Sequence, residues 1–286
     1  MGIDQGSSGC YYMFPPFDAH LQNELDQITP HLNHLTKAHA FITLASTNDH
    51  ALWLEKENHQ SGIVIMARKQ MRGRGRLKRC WLMQDGDIAL SILMRPPFLP
   101  HNINVLPMIP AVAVVKTLAV LGIVVRLKWP NDIIMPFFHQ EPVSYFGHFR
   151  KVGGILVENV FRENQLAATI IGIGLNLTDN PALTKQVPHA ASLFERGVDR
   201  YTCLKHLLTA LDHEFSALSQ TGYDDDLLRD YSMYCETLGK MVEVEWCNQK
   251  LIGRVVAINL DGSLVLDDGL EHHNIFAGDV NFVATC

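Results

Sequence analysis

Between Arg68 and Arg79 the chain sets seven cationic residues around two glycines, Gly73 and Gly75, with no acid among them. A core cannot hold that much unpaired charge, so the stretch must end the element before it and run as a surface loop. The element before it is Ile63-Val64-Ile65-Met66-Ala67, a short apolar run of strand length. The whole chain carries 24 Lys and Arg against 30 Asp and Glu. Without those seven, 17 basic residues face 30 acidic ones, a balance of −13. Positive charge is therefore concentrated in one loop of an otherwise acidic protein. A cationic loop with two glycines suits closure over a small polyanion.

At 286 residues, one large domain or two unequal ones are expected. With 47% hydrophobic and 19% charged residues, a sizeable core can form. A net charge of −6 argues against a dedicated nucleic-acid binder, which needs a broadly basic face. Six scattered cysteines with no Cys-x-x-Cys pair fit reduced thiols in a cytoplasm. The first twelve residues lack the apolar centre of a secretory signal. Residues 105–125 are apolar but interrupted by Pro107, Pro110 and Lys116. They read as a buried helix over Ile109–Leu121 and a strand over Val124–Leu127, not as a membrane span.

Three regions are expected: an extension of unknown role over 1–38, a central domain over 39–236, and a small barrel over 237–286. In the first, Gly6-Ser7-Ser8-Gly9 and Pro15-Pro16 break any early element. Short helices are predicted over Phe17–Leu25 and Pro30–Ala38. The second alternates strands and helices in an α+β pattern. Asp87–Met94 is a strand, Lys151–Val160 and Leu166–Leu175 an antiparallel pair about Arg162-Glu163-Asn164, and Leu204–Leu218 a helix. In the third, Val242, Val244 and Trp246 alternate with polar residues, and Asp261-Gly262 and Asp268-Gly269 mark turns between short strands.

Five segments carry the chemistry. They are Ser46-Thr47-Asn48, Gln70 to Arg76, Lys128-Trp129-Pro130-Asn131-Asp132, Lys151-Val152-Gly153-Gly154, and Ile171-Gly172-Ile173-Gly174-Leu175-Asn176. Their order and spacing resemble the biotin protein ligases over about residues 40–286. The resemblance implies a class-II synthetase-like (SH2-like) catalytic domain with a C-terminal SH3-like β-barrel. It implies two steps: biotin and ATP give biotinyl-5′-AMP, and a lysine of a biotin carboxyl carrier domain then takes the biotinyl group. ATP with Mg²⁺ is the co-substrate, and no tightly bound prosthetic group is expected.

By the same resemblance, Ser46, Thr47, Asn48 and Gln70 hold biotin's ureido ring. Gly73, Arg74, Gly75 and Arg76 fold over the ligand. Lys151 is the first catalytic choice, with Arg76 and Asp132 beside it. Gly153 and Gly154 leave room for biotin. Arg76, Arg79, Trp81, Asn131 and Asn176 serve ATP, with Trp81 beside the adenine, and Asp132 is a further ligand for the Mg²⁺ that the phosphates carry. The relatives often have glycine where Lys78 stands. Some carry a DNA-binding winged helix at the N-terminus, for which 38 residues are few, so DNA binding is not expected. No membrane is expected as a partner, and sheet-edge homodimers occur in the family.

Other readings compete. Alone, the basic run is more often a solvated loop or a nucleic-acid patch. Ser46-Thr47-Asn48 suits a helix N-cap. A lipoate or octanoate ligase or transferase shares the fold, and a sensor without catalysis would keep the pocket. His272-His273 and the His31, His34 and His39 group read as ordinary surface histidines rather than metal ligands.

Overall fold

The computed structural model describes residues 15–96, 102–137, 148–218, 220, 223–246 and 249–283. The breakers at 6–9 and Cys10, Cys247 and Cys286 lie outside the described residues. A seven-stranded sheet is the frame. Its strands are β1 (Lys37–Leu44), β2 (Ile63–Gln70), β3 (Ile88–Met94), β4 (Arg126–Lys128), β5 (Asp132–Pro136), β6 (Phe149–Arg162) and β7 (Gln165–Leu175). They lie in the order β1-β2-β3-β7-β6-β5-β4, with β1 parallel to β2 and every other pair antiparallel. The long β6–β7 hairpin turns at Glu163 and Asn164, both at positive φ (50° and 63°), as the tight turn of a twisted hairpin needs.

The apolar runs are continuous because helices cover both faces of the sheet. Val64 and Met66 of β2 face the main core, while Ile63, Ile65 and Ala67 face a second layer under α2 (Thr47–Lys56). On the main side lie α1 (Ala19–Asp26), α3 (Met108–Val120), α5 (Arg200–Ala217) and α6 (Tyr223–Tyr234). The stretch Ile103–Val120 is long and apolar enough to cross a membrane, yet two thirds of it (67%) is buried inside the protein.

Two sequence expectations need correction. No helix spans Pro30–Ala38. A 3-10 turn at Thr29–His31 gives way to β1 from Lys37, because the Asp212 carboxylate of α5 takes the backbone N–H groups of Asn33, His34 and Leu35 at 2.9, 2.6 and 3.2 Å. The strand expected at Val124–Leu127 is β4, two residues later. Leu21, Leu25, Ile28 and Leu35 join the main core, so residues 18–35 are packed with the sheet that follows them.

A short helix α4 (Pro181–Gln186) follows β7. The C-terminal strands β8 (Met241–Trp246), β9 (Gln249–Ile258), β10 (Leu264–Asp267), β11 (His272–Ile275) and β12 (Asp279–Phe282) form an antiparallel sheet in the order β11-β10-β9-β8-β12. Gly262 and Gly269 sit at positive φ (79° and 89°) in the two Asp-Gly turns. This sheet docks on the seven-stranded frame. The Trp129 indole N–H donates to the Gly262 carbonyl at 3.0 Å, and Asn102 donates to the Leu260 carbonyl at 2.8 Å.

Candidate active site

One cavity of about 620 Å³ opens where the basic loop, strands β4–β7 and the edge of the C-terminal sheet meet. Ser46 caps α2, its hydroxyl accepting the Asp49 N–H at 3.4 Å, so the N-cap reading holds. The Thr47 N–H and hydroxyl both donate to the Gln70 side-chain oxygen, at 2.8 and 3.2 Å. The Ser91 hydroxyl lies 2.5 Å from Asn48 Oδ1 and 2.8 Å from the Thr47 hydroxyl. Asn48 Nδ2 donates to Glu158 at 2.7 Å. Gly172 makes room for this network, since a Cβ there would sit 2.3 Å from Asn48 Oδ1. Ser91 was legible only as the one hydroxyl in an apolar strand, Ile88-Ala89-Leu90-Ser91-Ile92-Leu93-Met94.

The basic loop is a small hairpin. The Gly75 N–H donates to the Arg79 carbonyl at 2.8 Å, and the Trp81 N–H to the Gly73 carbonyl at 2.9 Å. Gly73 is needed for this close approach, because a Cβ would lie 2.5 Å from the Trp81 carbonyl oxygen. It does not line the main cavity. Left-handed backbone falls on Leu77 and Lys78 (φ 53° and 61°), while Gly75 is extended (φ −122°). Lys78 thus holds a conformation that glycine adopts freely, at the position where the resembled family often has glycine.

The arginines do not all face the cavity. Arg68 lies within β2 and pairs with the buried Asp18, a structural contact. Arg74 forks onto Glu158 (2.7 and 2.6 Å) and touches Asp49 at 2.9 Å. Arg76 donates to Asn131 Oδ1 at 3.0 Å, and its burial pushes the guanidinium pKa down. Arg79 pairs with Asp279 of β12.

At the cavity's centre, the Lys151 Nζ donates to Asp132 at 2.5 Å, and Lys128 lies 3.9 Å from the same carboxylate. Burial works to raise the Asp132 pKa, but Lys151, Lys128 and Arg76 outweigh it and hold the carboxyl below its usual range. Lys128 is pushed down by burial, against the pull of Asp132, and lies 5.9 Å from the centre of the Phe282 ring. The Trp81 indole lies against Gly154 and Gly174, 5.8 Å from Lys151 Nζ. Asn131 donates to the Ile155 carbonyl at 2.7 Å. Asn176 donates to the Ala191 carbonyl at 2.9 Å, which leaves its buried Oδ1 without a partner among the described residues.

The cavity therefore gathers every residue expected there except Gly73 and Gly153. Gly153 is turned into the sheet, where a Cβ would meet Leu175 and the Gly174 carbonyl at 2.6 and 2.8 Å, so it opens no ligand space. Gly154 does: its Cβ would reach 3.2 Å from Lys151 Nζ. Lys128, His189, Asp279 and the glycines of β7 also line the cavity and were not among the expected site residues. Among the described residues, no three His, Cys, Asp or Glu side chains gather as a metal cage.

Comparison with known proteins accords with this geometry. The model of the biotin/lipoate A/B protein ligase family matches residues 40–176. A biotin–acetyl-CoA-carboxylase ligase of Mycobacterium tuberculosis is 31% identical, over 77% of this chain and 78% of that protein. The chain belongs to the biotin/lipoate A/B protein ligase family. A bifunctional ligase/repressor BirA of Bacillus subtilis is 28% identical over 83% of this chain and 71% of that protein. Among solved structures, the biotin protein ligase from Aquifex aeolicus in complex with biotin and ATP superposes with a TM-score of 0.70. It is 23% identical over 87% of this chain and 99% of that one, a likeness of fold. The mixed α/β ligase domain with a C-terminal antiparallel sheet is thus the family's architecture.

Proposed function

We propose that this ligase joins biotin to a lysine of a biotin carboxyl carrier domain through biotinyl-5′-AMP. The observation that carries the reading is the Lys151–Asp132 pair beside Gly154 and Arg76, in a cavity that also contains Ser46, Thr47 and Gln70. An anionic carboxylate must approach a polyanionic triphosphate in the first step. Two unit charges 4 Å apart repel by about 4 kcal/mol at an effective dielectric of 20. Lys151, Lys128 and Arg76 supply the offsetting charge.

In this reading the ureido ring lies at the Thr47–Gln70 end, and its carboxylate reaches Lys151. A carboxylate oxygen attacks the α-phosphorus and pyrophosphate leaves. In the second step the carrier lysine's neutral amine attacks the acyl carbon, AMP leaves, and the amine gives up a proton. Asn48 is oriented by Ser91 and Glu158, each of which takes one bond of its amide. The unpartnered Asn176 Oδ1 is an acceptor suited to a donor of the nucleotide.

Mg²⁺ bound through one carboxylate and the substrate's phosphates fits the donor set, since Asp132 lines the cavity and its carboxyl is held ionised. It would hold the phosphates and offset their charge. The reading also takes the carboxyl-terminal sheet as SH3-like and the setting as cytoplasmic, with homodimerisation at a sheet edge and no DNA partner. Biotin-dependent exchange of labelled pyrophosphate into ATP tests it. Exchange with biotin and none with lipoate is expected, and exchange with lipoate alone would overturn it.

A further inference from the structure

We propose that Glu158 is a positioning residue that fastens the loop over the cavity to the ureido end of the site, and so retains the acyl-adenylate. The proposal rests on the biotin-ligase reading above. Glu158 lies on β6, and its carboxylate takes two bonds from Arg74 of the loop and one from Asn48 at the start of α2. The Asn48 amide cannot turn over without losing Ser91, which holds its oxygen at 2.5 Å. An unbroken polar chain, Ser91–Asn48–Glu158–Arg74, thus runs from the floor of the ureido end to the loop. Asp49 adds a second carboxylate to Arg74 at 2.9 Å.

The loop needs such a fastening. The cavity of about 620 Å³ lies on its inner side, and a second space of about 770 Å³, lined by Asp49, Met71, Met83, Leu156 and Glu158, lies on its outer side. A segment with open space beside it has little packing to hold it, so its place depends on its backbone pairing and on the contacts of Arg74, Arg76 and Arg79, of which the Arg74 fork is the one that reaches the start of α2 through Glu158. Biotin bound against Thr47 and Gln70 steadies the start of α2, and Glu158 passes that order to Arg74.

The test compares wild-type protein with Glu158→Gln and Arg74→Lys. The second variant keeps the charge but loses the fork, and it serves if the first does not fold. Single-turnover formation of biotinyl-AMP from biotin and MgATP is measured first. Failure of the wild type to form it would overturn the ligase reading itself. Release of the preformed adenylate is measured next, together with labelling of a bystander protein that is not a carrier. We expect release about tenfold faster in each variant, with bystander labelling, while adenylate formation by Glu158→Gln stays within about threefold of wild type. The double variant should release no faster than either single one, because both changes break one fastening. Release within about twofold of wild type in both variants, or additive effects in the double, would overturn the proposal.

Discussion

Gly174→Ala tests the site most sharply, because it adds one methyl where the Trp81 indole lies. The new Cβ would sit 2.4 Å from Trp81 Cε2, 2.5 Å from Cζ2 and 2.8 Å from Nε1. Carbon atoms in contact rest at about 3.5–4.0 Å, so the indole must retreat by about 1 Å or more. Gly174 cannot move instead, since β7 pairs it with Ala89 of β3 and Gly154 of β6. Trp81 is half-buried and sits on a loop, so it is the side that gives. A buried indole covers about 150–250 Å², and losing half of that at about 25 cal/mol per Å² comes to about 2–3 kcal/mol. In the reading that sets Trp81 beside the adenine, that contact helps to hold the nucleotide, and KM for ATP rises roughly 30- to 150-fold. The assay is biotin-dependent pyrophosphate exchange, with thermal unfolding run in parallel. The fold should survive with a Tm loss of only about a few degrees, because the core is untouched. An unchanged KM with an intact fold would refute the placing of Trp81 over the ligand space.

Three further outcomes are expected. Lys151→Ala should fold and lose about three orders of magnitude in the rate of adenylate formation, the size of one uncompensated charge at 4 Å, read by single-turnover release of pyrophosphate; near-normal rates would remove Lys151 from its role. Stability should fall as pH drops from about 6.5 towards 4. Burial, then His39 and His59, pushes the His50 pKa down to about 4 from 6.5, so between those values the unfolded chain binds the extra proton. Discounted for its solvent-facing edge, this group's share is about 2 kcal/mol, and urea unfolding at each pH should show a flatter profile for His50→Phe. Lys78→Gly should keep adenylate formation within about threefold of wild type, whereas Lys78→Val should impair it, because a β-branched residue at φ 61° is strained.

What the sequence made legible, and what it hid, follows from how far apart the partners lie. Strand pairs, turns and the apolar α3 were readable because their signals are local: Asp261-Gly262, the Glu163-Asn164 turn, unbroken runs such as Ile63–Ala67. The residues that line the cavity were readable through short motifs. The sequence could not show where the loop's charges go. Asp18, Glu158 and Asp279 come to Arg68, Arg74 and Arg79 from distant parts of the chain, so three arginines of a run that read as closing over a polyanion are held by carboxylates. Distance also misled the reading of Pro30–Ala38, whose backbone N–H groups are taken by Asp212 on α5. Gly153 and Gly154 look alike in sequence, but strand alternation turns one into the sheet and the other towards Lys151.

The central claim is that Lys151 and its neighbours carry biotin to a protein lysine through an adenylate. It is tested most directly by incubating the protein with biotin, MgATP and an apo biotin carboxyl carrier domain, and probing that domain with streptavidin. Label is expected on the carrier's acceptor lysine, dependent on ATP, absent when that lysine is replaced by arginine, and nearly abolished by Lys151→Ala. No label with wild-type protein, or equal modification when lipoate replaces biotin, would contradict it.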